Sequence, residues 1–417
     1  MLYRSTVSSF TFLHAADLHL DSPLRGLDPG APVERIRRAT RDALVNLVDF
    51  ALKQRVEFVL LAGDLYDGDW KDWRTGQFLV QQLGRLLRDG IEIVAISGNH
   101  DAAKVLSLRV PVPGLMGTDK PGTRLLERAP VAVHGQGFDI AATTNNLALH
   151  YPEPVDGLFN IGLLHTACGS GAHLNYAPCG IDDLVRKGYD YWALGHVHTR
   201  AELLRDPWIV FPGNIQGRHI NEEGSRGATL VTVRDGSVSS VDHHALDVLR
   251  WRRLPVDATG AATREDVLNR ARILLDNAVL DAEERLLIVR ITVSGECPAH
   301  AELAGLPTET LQYFRALAAE VADVEQLWVE CVVIDTRPAV DLAALRAQPG
   351  PVGALISALD RAPAIDPGLK AFVDDQLRRA NGVLAADHPA AQIAEGHIPD
   401  GLVQRARAIV LAELARR

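Results

Sequence analysis

Short apolar segments separated by helical stretches constrain the fold of the first 245 residues more than any other feature of the sequence. Such segments, compact and bounded by turn residues, are typical of strands buried in a sheet. They are Phe10–Ala16, Phe58–Ala62, Ile91–Ser97, Asn160–Leu164 and Tyr191–Leu194. Between the first two, apolar residues recur at helical spacing over about Pro32–Gln54. This alternation predicts a layered α/β domain. The later strands, Trp208–Phe211, Ala228–Val233 and Val238–Asp242, lack intervening helices and predict antiparallel pairs at its end.

The character of the chain changes twice after this region. Residues 249–338 read as strand, helix, strand, helix and strand, which predicts a small α+β domain. Residues 339–417 are rich in Ala, Pro, Leu and Arg and contain no strand-like run, so we expect short helices there. The predicted domains are therefore residues 1–248, 249–338 and 339–417.

Composition excludes several classes of protein. The sequence contains no apolar run of the roughly 18 residues that cross a bilayer, and its start does not resemble a secretory signal. We therefore expect a cytoplasmic protein without a membrane segment. The four cysteines form no CxxC pair, which argues against a zinc ribbon or a disulfide scaffold. A net charge of −10 argues against nonspecific coating of nucleic acid but does not exclude an enzyme that acts on DNA.

Polar motifs follow the predicted strands directly. They are Asp17-Leu-His19, Gly63-Asp64, Gly98-Asn99-His100-Asp101, Leu164-His165 and Gly195-His196-Val-His198. Loops beyond the carboxyl ends of strands gather around one site in open α/β sheets. Each motif alone is ordinary for a turn, a cap or a surface histidine, but their joint occurrence at strand ends favours a metal centre.

The residue types indicate which ions such a centre would hold. Carboxylate oxygens and imidazole nitrogens suit divalent manganese, iron or zinc, and the lack of thiolates argues against a closed structural zinc site. Two divalent ions, the carboxylates of Asp17 and Asp64 and one hydroxide leave a net charge of about +1, which would attract a phosphodiester.

In this order, the motifs resemble the signature of calcineurin-like metallophosphoesterases over roughly residues 10–245. The resemblance implies a four-layered β-sandwich flanked by helices that carries two metal ions. It implies one ion held by Asp17, His19, Asp64 and His198, and another held by Asp64, Asn99, His165 and His196. It also implies that His100 protonates the leaving oxygen and that Asp101 holds His100.

Within that superfamily, the motifs are similar to those of the SbcD/YhaO-type bacterial DNA repair exonucleases. The arginine of the GDxVDRG pattern of protein Ser/Thr phosphatases is absent, and residues 212–219 resemble the YhaO branch in particular. The resemblance implies a nuclease that cleaves DNA phosphodiesters with a metal-bridging hydroxide, in DNA repair or end processing. It further implies manganese as the expected ion, a DNA-facing capping domain, a homodimer, and a helical C-terminus that binds an SMC-like (SbcC/YhaN-type) ATPase.

Several alternatives remain open at this point. The chain could instead be a phosphoesterase acting on small nucleotides or phosphoproteins, or a non-catalytic scaffold that binds DNA ends. Arg218 and His219 lie in a Gly-rich turn expected to return toward the metals, where Arg218 could bind a phosphate oxygen or form a structural salt bridge. Asp67 stands where some relatives have a histidine associated with exonuclease activity, so that activity is left open. The apolar stripes of the C-terminus could pack on the chain's own domains or on the ATPase.

Overall fold

The computed structural model describes residues 9–22, 30–67, 73–102, 110–169 and 176–339. Its strands are β1 (Phe10–Ala15), β2 (Phe58–Ala62), β3 (Glu92–Ile96), β4 (Gly122–Leu125), β5 (Val131–Gly135), β6 (Phe159–His165), β7 (Tyr191–Gly195), β8 (Ala201–Arg205), β9 (Trp208–Phe211), β10 (Gly227–Arg234), β11 (Ser237–Ala245), β12 (Leu249–Asp257), β13 (Leu286–Cys297) and β14 (Leu327–Pro338). Its α-helices are α1 (Val33–Gln54), α2 (Trp73–Arg88), α3 (Ile181–Val185), α4 (Arg264–Asp281), α5 (His300–Gly305) and α6 (Pro307–Val321), and Leu147–His150 forms a 3-10 helix.

The strands before residue 246 form two sheets. The first has the order β11-β10-β1-β2-β3, and the second has the order β4-β5-β6-β7-β9-β8. Strands β1, β2 and β3 run parallel, as do β5, β6, β7 and β9. The expected antiparallel pairs are present, but they belong to different sheets: β10 with β11 in the first, and β8 with β9 in the second.

Alternation of side chains along the strands builds the layers, because successive residues of a strand point to opposite faces. Phe12 of β1 and Tyr191 of β7 share the apolar core between the two sheets. Their neighbours Leu13 and Trp192 point outward, Leu13 into a core with α1 and α2, and Trp192 into a core that includes residues of α3. Both faces of these strands are buried, which explains their continuous apolar sequence. The result is the expected four-layered sandwich of two sheets flanked by helices.

Beyond residue 248, strands β12, β13 and β14 form a three-stranded sheet in that order. Its strands and the helices α4 and α6 match the predicted alternation, which confirms the α+β character of this region. By contacts the chain divides into two compact units. The first runs to Arg253 and includes Ala278–Val289 and Ala322–Glu330, and the second contains Leu254–Asn277, Arg290–Val321 and the residues from Cys331. The predicted domain boundaries stay predictions.

The helical partner-binding segment predicted for residues 339–417 lies, beyond Ala339, outside the described residues. Among the described residues, no helix is long and apolar enough to cross a membrane.

His14 in the middle of β1 offers a test of the sheet packing. Its Nδ1 lies 3.0 Å from the Tyr191 hydroxyl and its Nε2 lies 3.1 Å from the Leu194 carbonyl oxygen. Burial lowers the pKa of His14 to about 3. In the unfolded chain the pKa of a histidine is about 6.5. Between pH 6.5 and pH 3, the histidine is therefore protonated in the unfolded state but not in the folded state. The free energy of unfolding consequently falls as the pH drops below about 6.5.

We therefore predict that, between pH 7 and pH 5, the free energy of unfolding falls by about 2 kcal/mol less in His14→Gln than in the parent. Urea unfolding of both proteins at the two pH values measures this difference. Identical pH dependence in parent and variant would show that His14 is not held neutral in the fold.

Candidate metal centre

The polar residues singled out by sequence converge at one edge of the two sheets. Asp17 follows β1, Asp64 follows β2, and Asn99 follows β3 of the first sheet. His165 is the last residue of β6, and His196 follows β7 of the second sheet. The carboxyl ends of parallel strands from both sheets therefore deliver these side chains to a common place.

The backbone of these loops is strained where the side chains turn inward. Asp17, Asp64 and His196 have φ angles of 52°, 50° and 101°, in the left-handed region that non-glycine residues rarely adopt. Such strain clusters at functional sites, where the surrounding structure maintains it. Gly63 has a φ of 92°, and a Cβ at this position would lie 2.5 Å from His165 Nδ1, so the close approach requires glycine.

Asp17, His19 and His198 form one group of potential ligands, with one donor atom from each within 4.8 Å of the others. His19 Nε2 lies 3.1 Å from His198 Nε2 and 3.8 Å from a carboxylate oxygen of Asp64. The backbone N–H of His196 donates to both Asp17 oxygens, at 3.2 and 3.1 Å. The Asp17 carboxylate, from the first sheet, is thus fixed by the second.

A second group forms around His165. Its Nε2 lies 2.9 Å from Asn99 Oδ1 and 3.5 Å from an Asp64 oxygen, while its Nδ1 lies 2.9 Å from the Ala62 carbonyl oxygen. Asn99 Oδ1 is also 3.2 Å from His196 Nδ1. Asp64 is close to ligands of both groups, as a residue that bridges two ions must be, and its carboxylate accepts the backbone N–H of His100 at 2.9 Å.

The electrostatics of the site fit divalent cations. Burial lowers the pKa of His19 to about 4 and that of His165 to about 3, so both imidazoles are neutral and carry a lone pair for a metal. Burial, together with the charge of Asp64, raises the pKa of Asp17 to about 7. A cation between these carboxylates would offset both the cost of burying the Asp17 charge and its repulsion from Asp64. The donor set is oxygen and nitrogen throughout, which suits the expected ions.

His100 contacts Asp67, and this corrects the expectation that Asp101 holds it. His100 Nδ1 lies 2.8 Å from an Asp67 oxygen. The buried Asp101 carboxylate instead accepts the backbone N–H groups of Gly98 at 2.6 Å and Leu65 at 2.5 Å, so it fastens two loops together. The hydrogen bond to Asp67 raises the pKa of His100 above its ordinary value, which favours the protonated form of a half-exposed side chain.

Glu222 belongs to the candidate metal centre, although the sequence motifs did not predict it. Its carboxylate lies 2.7 Å from His198 Nδ1 and accepts the backbone N–H of Arg218 at 2.8 Å. The Glu-Glu pair after the Gly-rich turn was the one sequence signal for it, but nothing local shows which glutamate turns inward.

The Arg218 guanidinium lies 3.1 Å from Glu222 and 3.4 Å from Asp67, which favours the salt-bridge interpretation of Arg218. His219 is more than half exposed and lines, with His198 and Arg218, an open cavity. A substrate-binding role for Arg218 or His219 stays a prediction.

Comparison with known proteins agrees with this geometry. The calcineurin-like phosphoesterase family matches residues 10–200, and the middle domain of metallophosphoesterase YhaO matches residues 251–337. An uncharacterized metallophosphoesterase YhaO of Bacillus subtilis (strain 168) is 34% identical over 336 residues, which cover 77% of this chain and 80% of that protein. The DNA double-strand break repair protein Mre11 of Sulfurisphaera tokodaii is 27% identical over 263 residues, 58% of this chain and 64% of the relative. Mre11 of Saccharolobus solfataricus is 30% identical over 207 residues, 48% of this chain and 52% of the relative.

The fold, the site and these matches define a metal-dependent phosphoesterase, a hydrolase that uses divalent ions. The chain belongs to the calcineurin-like metallophosphoesterase family, and its middle domain is of the YhaO type.

Asp64 provides the sharpest test of the ligand assignment. Because its carboxylate is close to both groups of ligands, we predict that Asp64→Ala loses both ions, whereas Asp119→Ala, which removes an exposed carboxylate, loses neither. Metal analysis of dialysed protein by mass spectrometry measures the difference. Retention of two ions per chain by Asp64→Ala would contradict a bridging role.

Proposed function

We propose that the chain is a metal-dependent DNA nuclease that hydrolyses phosphodiesters in DNA repair or end processing. In this proposal Asp17, His19, Asp64 and His198 hold one ion, and Asp64, Asn99, His165 and His196 hold the other, with manganese as the ion used. His100 is the proton donor, and Arg218 and His219 contact the substrate.

Four of the seven proposed ligands, Asp64, Asn99, His196 and His198, line one open cavity, and this supports the proposal most strongly. The other three are buried and contact them: His19 lies against His198, His165 against Asn99, and Asp17 against the backbone of His196. The cavity has a volume of about 670 Å³ and is lined by Asp64, Asn99, His100, His196, His198 and Arg218, among others. A site of this size accepts more than an isolated phosphate group, as a polynucleotide substrate requires. Relatives named as DNA double-strand break repair proteins point to DNA as the polymer.

The chemistry can be assigned to the residues of the site. Bound divalent ions would polarise the phosphate. They would also lower the pKa of a water molecule, so that it could attack the phosphate as hydroxide. Nδ1 of His100 contacts the Asp67 carboxylate at 2.8 Å. Nε2 is therefore the nitrogen that can donate a proton to the leaving sugar oxygen. Although burial opposes its charge, hydrogen bonds from His100 and Ser22 hold the pKa of Asp67 well below its usual range, so Asp67 remains an anionic partner for His100.

The proposal includes a partner. An SMC-like ATPase of the SbcC/YhaN type would bind residues 339–417, and the YhaO-type middle domain would face DNA. Nearly all of the partner-binding segment lies outside the described residues, and the partner is proposed from the resemblance of the motifs to those of SbcD/YhaO-type proteins. A homodimer belongs to the same proposal.

A nuclease assay with added manganese tests the substrate. We predict cleavage of linear DNA by the parent, loss of cleavage in Asp64→Ala, and stimulation of cleavage by the ATPase. Covalently closed circular DNA in the same assay separates exonucleolytic from endonucleolytic cleavage. Hydrolysis of a cyclic nucleotide or a phosphopeptide in the absence of any DNA cleavage would favour the alternative phosphoesterase function. Binding of DNA ends without hydrolysis of any substrate would favour the scaffold.

His100 allows proton transfer to be separated from metal binding. We predict that His100→Ala keeps both ions but cleaves DNA roughly 100-fold more slowly, the scale expected for loss of a general acid. With a nitrophenyl ester, whose leaving group scarcely needs a proton, the decrease should be much smaller. Asp67→Asn should show the same dependence on the leaving group, with a smaller decrease. Equal loss with both substrates would rule out proton donation as the role of His100.

A further inference from the structure

Glu222 is among the most completely bonded side chains near the metal centre. Its side chain is only 6% exposed. One carboxylate oxygen lies 2.7 Å from His198 Nδ1 and accepts the Arg218 guanidinium at 3.1 Å. The other accepts Asn214 Nδ2 at 2.9 Å and the backbone N–H of Arg218 at 2.8 Å. With Arg218 Nε, which donates to the second oxygen at 3.4 Å, five donors from three residues fix the position of this carboxylate.

This placement determines which nitrogen of His198 faces the metal centre. A carboxylate at Nδ1 keeps the proton on that nitrogen, so Nε2 carries the lone pair. His198 Nε2 is the atom that lies 3.1 Å from His19 Nε2, within the group that also contains Asp17. A carboxylate behind a metal-binding histidine fixes its orientation and makes it a stronger ligand.

The other proposed metal position has a different arrangement. The corresponding partner of His165 is the neutral carbonyl oxygen of Ala62, 2.9 Å from Nδ1. A neutral carbonyl increases the basicity of an imidazole less than a carboxylate does, so His165 is a less strongly supported ligand than His198.

We propose that Glu222 is a positioning residue that selectively strengthens the ion held by Asp17, His19 and His198. The proposal rests on the ligand assignment proposed above but not on DNA as the substrate. Arg218 supports it, because its guanidinium lies 3.1 Å from the carboxylate and its backbone N–H donates to the same carboxylate at 2.8 Å, which holds Glu222 behind His198.

Titration of manganese into the metal-free full-length chain by calorimetry tests the proposal without any substrate. We expect two binding events in the parent. In Glu222→Gln, which preserves the shape of the side chain but removes its charge, one event should weaken by about 10- to 100-fold, the usual effect of losing such a partner. The other event should stay within about threefold of the parent, because His165, one of its two proposed histidines, relies on the Ala62 carbonyl and not on Glu222.

The neighbouring Glu223 provides the matched control. It pairs with Arg253 and not with a proposed ligand, so Glu223→Gln should bind both ions as the parent does. Glu222→Asp, which restores the charge on a shorter side chain, should recover part of the lost affinity. Thermal unfolding of the metal-free variants monitors folding separately.

Two results would overturn the proposal. One is unchanged affinity for both ions in Glu222→Gln; the other is equal weakening of both events, which would indicate a structural role shared by the whole site. If Glu222→Gln does not fold, Glu222→Asp decides alone: the proposal predicts that only one of its two events is weaker than in the parent. A chain that fails to cleave DNA but shows the selective loss would keep this proposal and reject the nuclease function.

Discussion

The rest of the site depends on two buried carboxylates at the ends of neighbouring strands, which need hydrogen bonds and positive charge. Asp17 and Asp64 follow the parallel strands β1 and β2 and are each 1% exposed. Buried like charges are costly unless they are hydrogen-bonded and neutralised. Backbone N–H groups of His196 and His100 supply the hydrogen bonds, and the neutral imidazoles of His19 and His165 leave cations to supply the positive charge. The strained backbone of the loops follows from the need to turn these side chains inward.

The outer residues of the site form a connected layer behind the ligands. Asp67 contacts His100, Glu222 contacts His198, and Arg218 lies within 3.4 Å of Asp67 and 3.1 Å of Glu222. One guanidinium thus balances the two carboxylates that orient the proposed proton donor and a proposed metal ligand. A substitution at Arg218 would disturb both histidines through these carboxylates, whether or not Arg218 also contacts the substrate.

The sequence predicted which residues converge here because each motif follows a recognisable strand, and their role as metal ligands stays a prediction. The motif at Asp17 or His196 needs only the adjacent strand to place it, so local patterns were sufficient. Local sequence patterns could not predict the contacts between side chains of different loops. His198 and Glu222 are 24 residues apart, and Glu222 and Glu223 look alike in the sequence, although only Glu222 is buried. Asp101 is adjacent to His100 in the sequence, yet the carboxylate that reaches His100 comes from Asp67, 33 residues earlier. The division of the later strands between two sheets likewise depends on packing that no single strand reveals.

Anomalous diffraction from crystals grown with manganese would test the central claim most directly, that this cluster is a centre for two ions. The account predicts two anomalous peaks about 3.5–4 Å apart, the usual separation in two-metal sites, with the Asp64 carboxylate between them. One peak should contact His19 and His198, and the other Asn99, His165 and His196. A single peak, or peaks that do not contact Asp64, would contradict it.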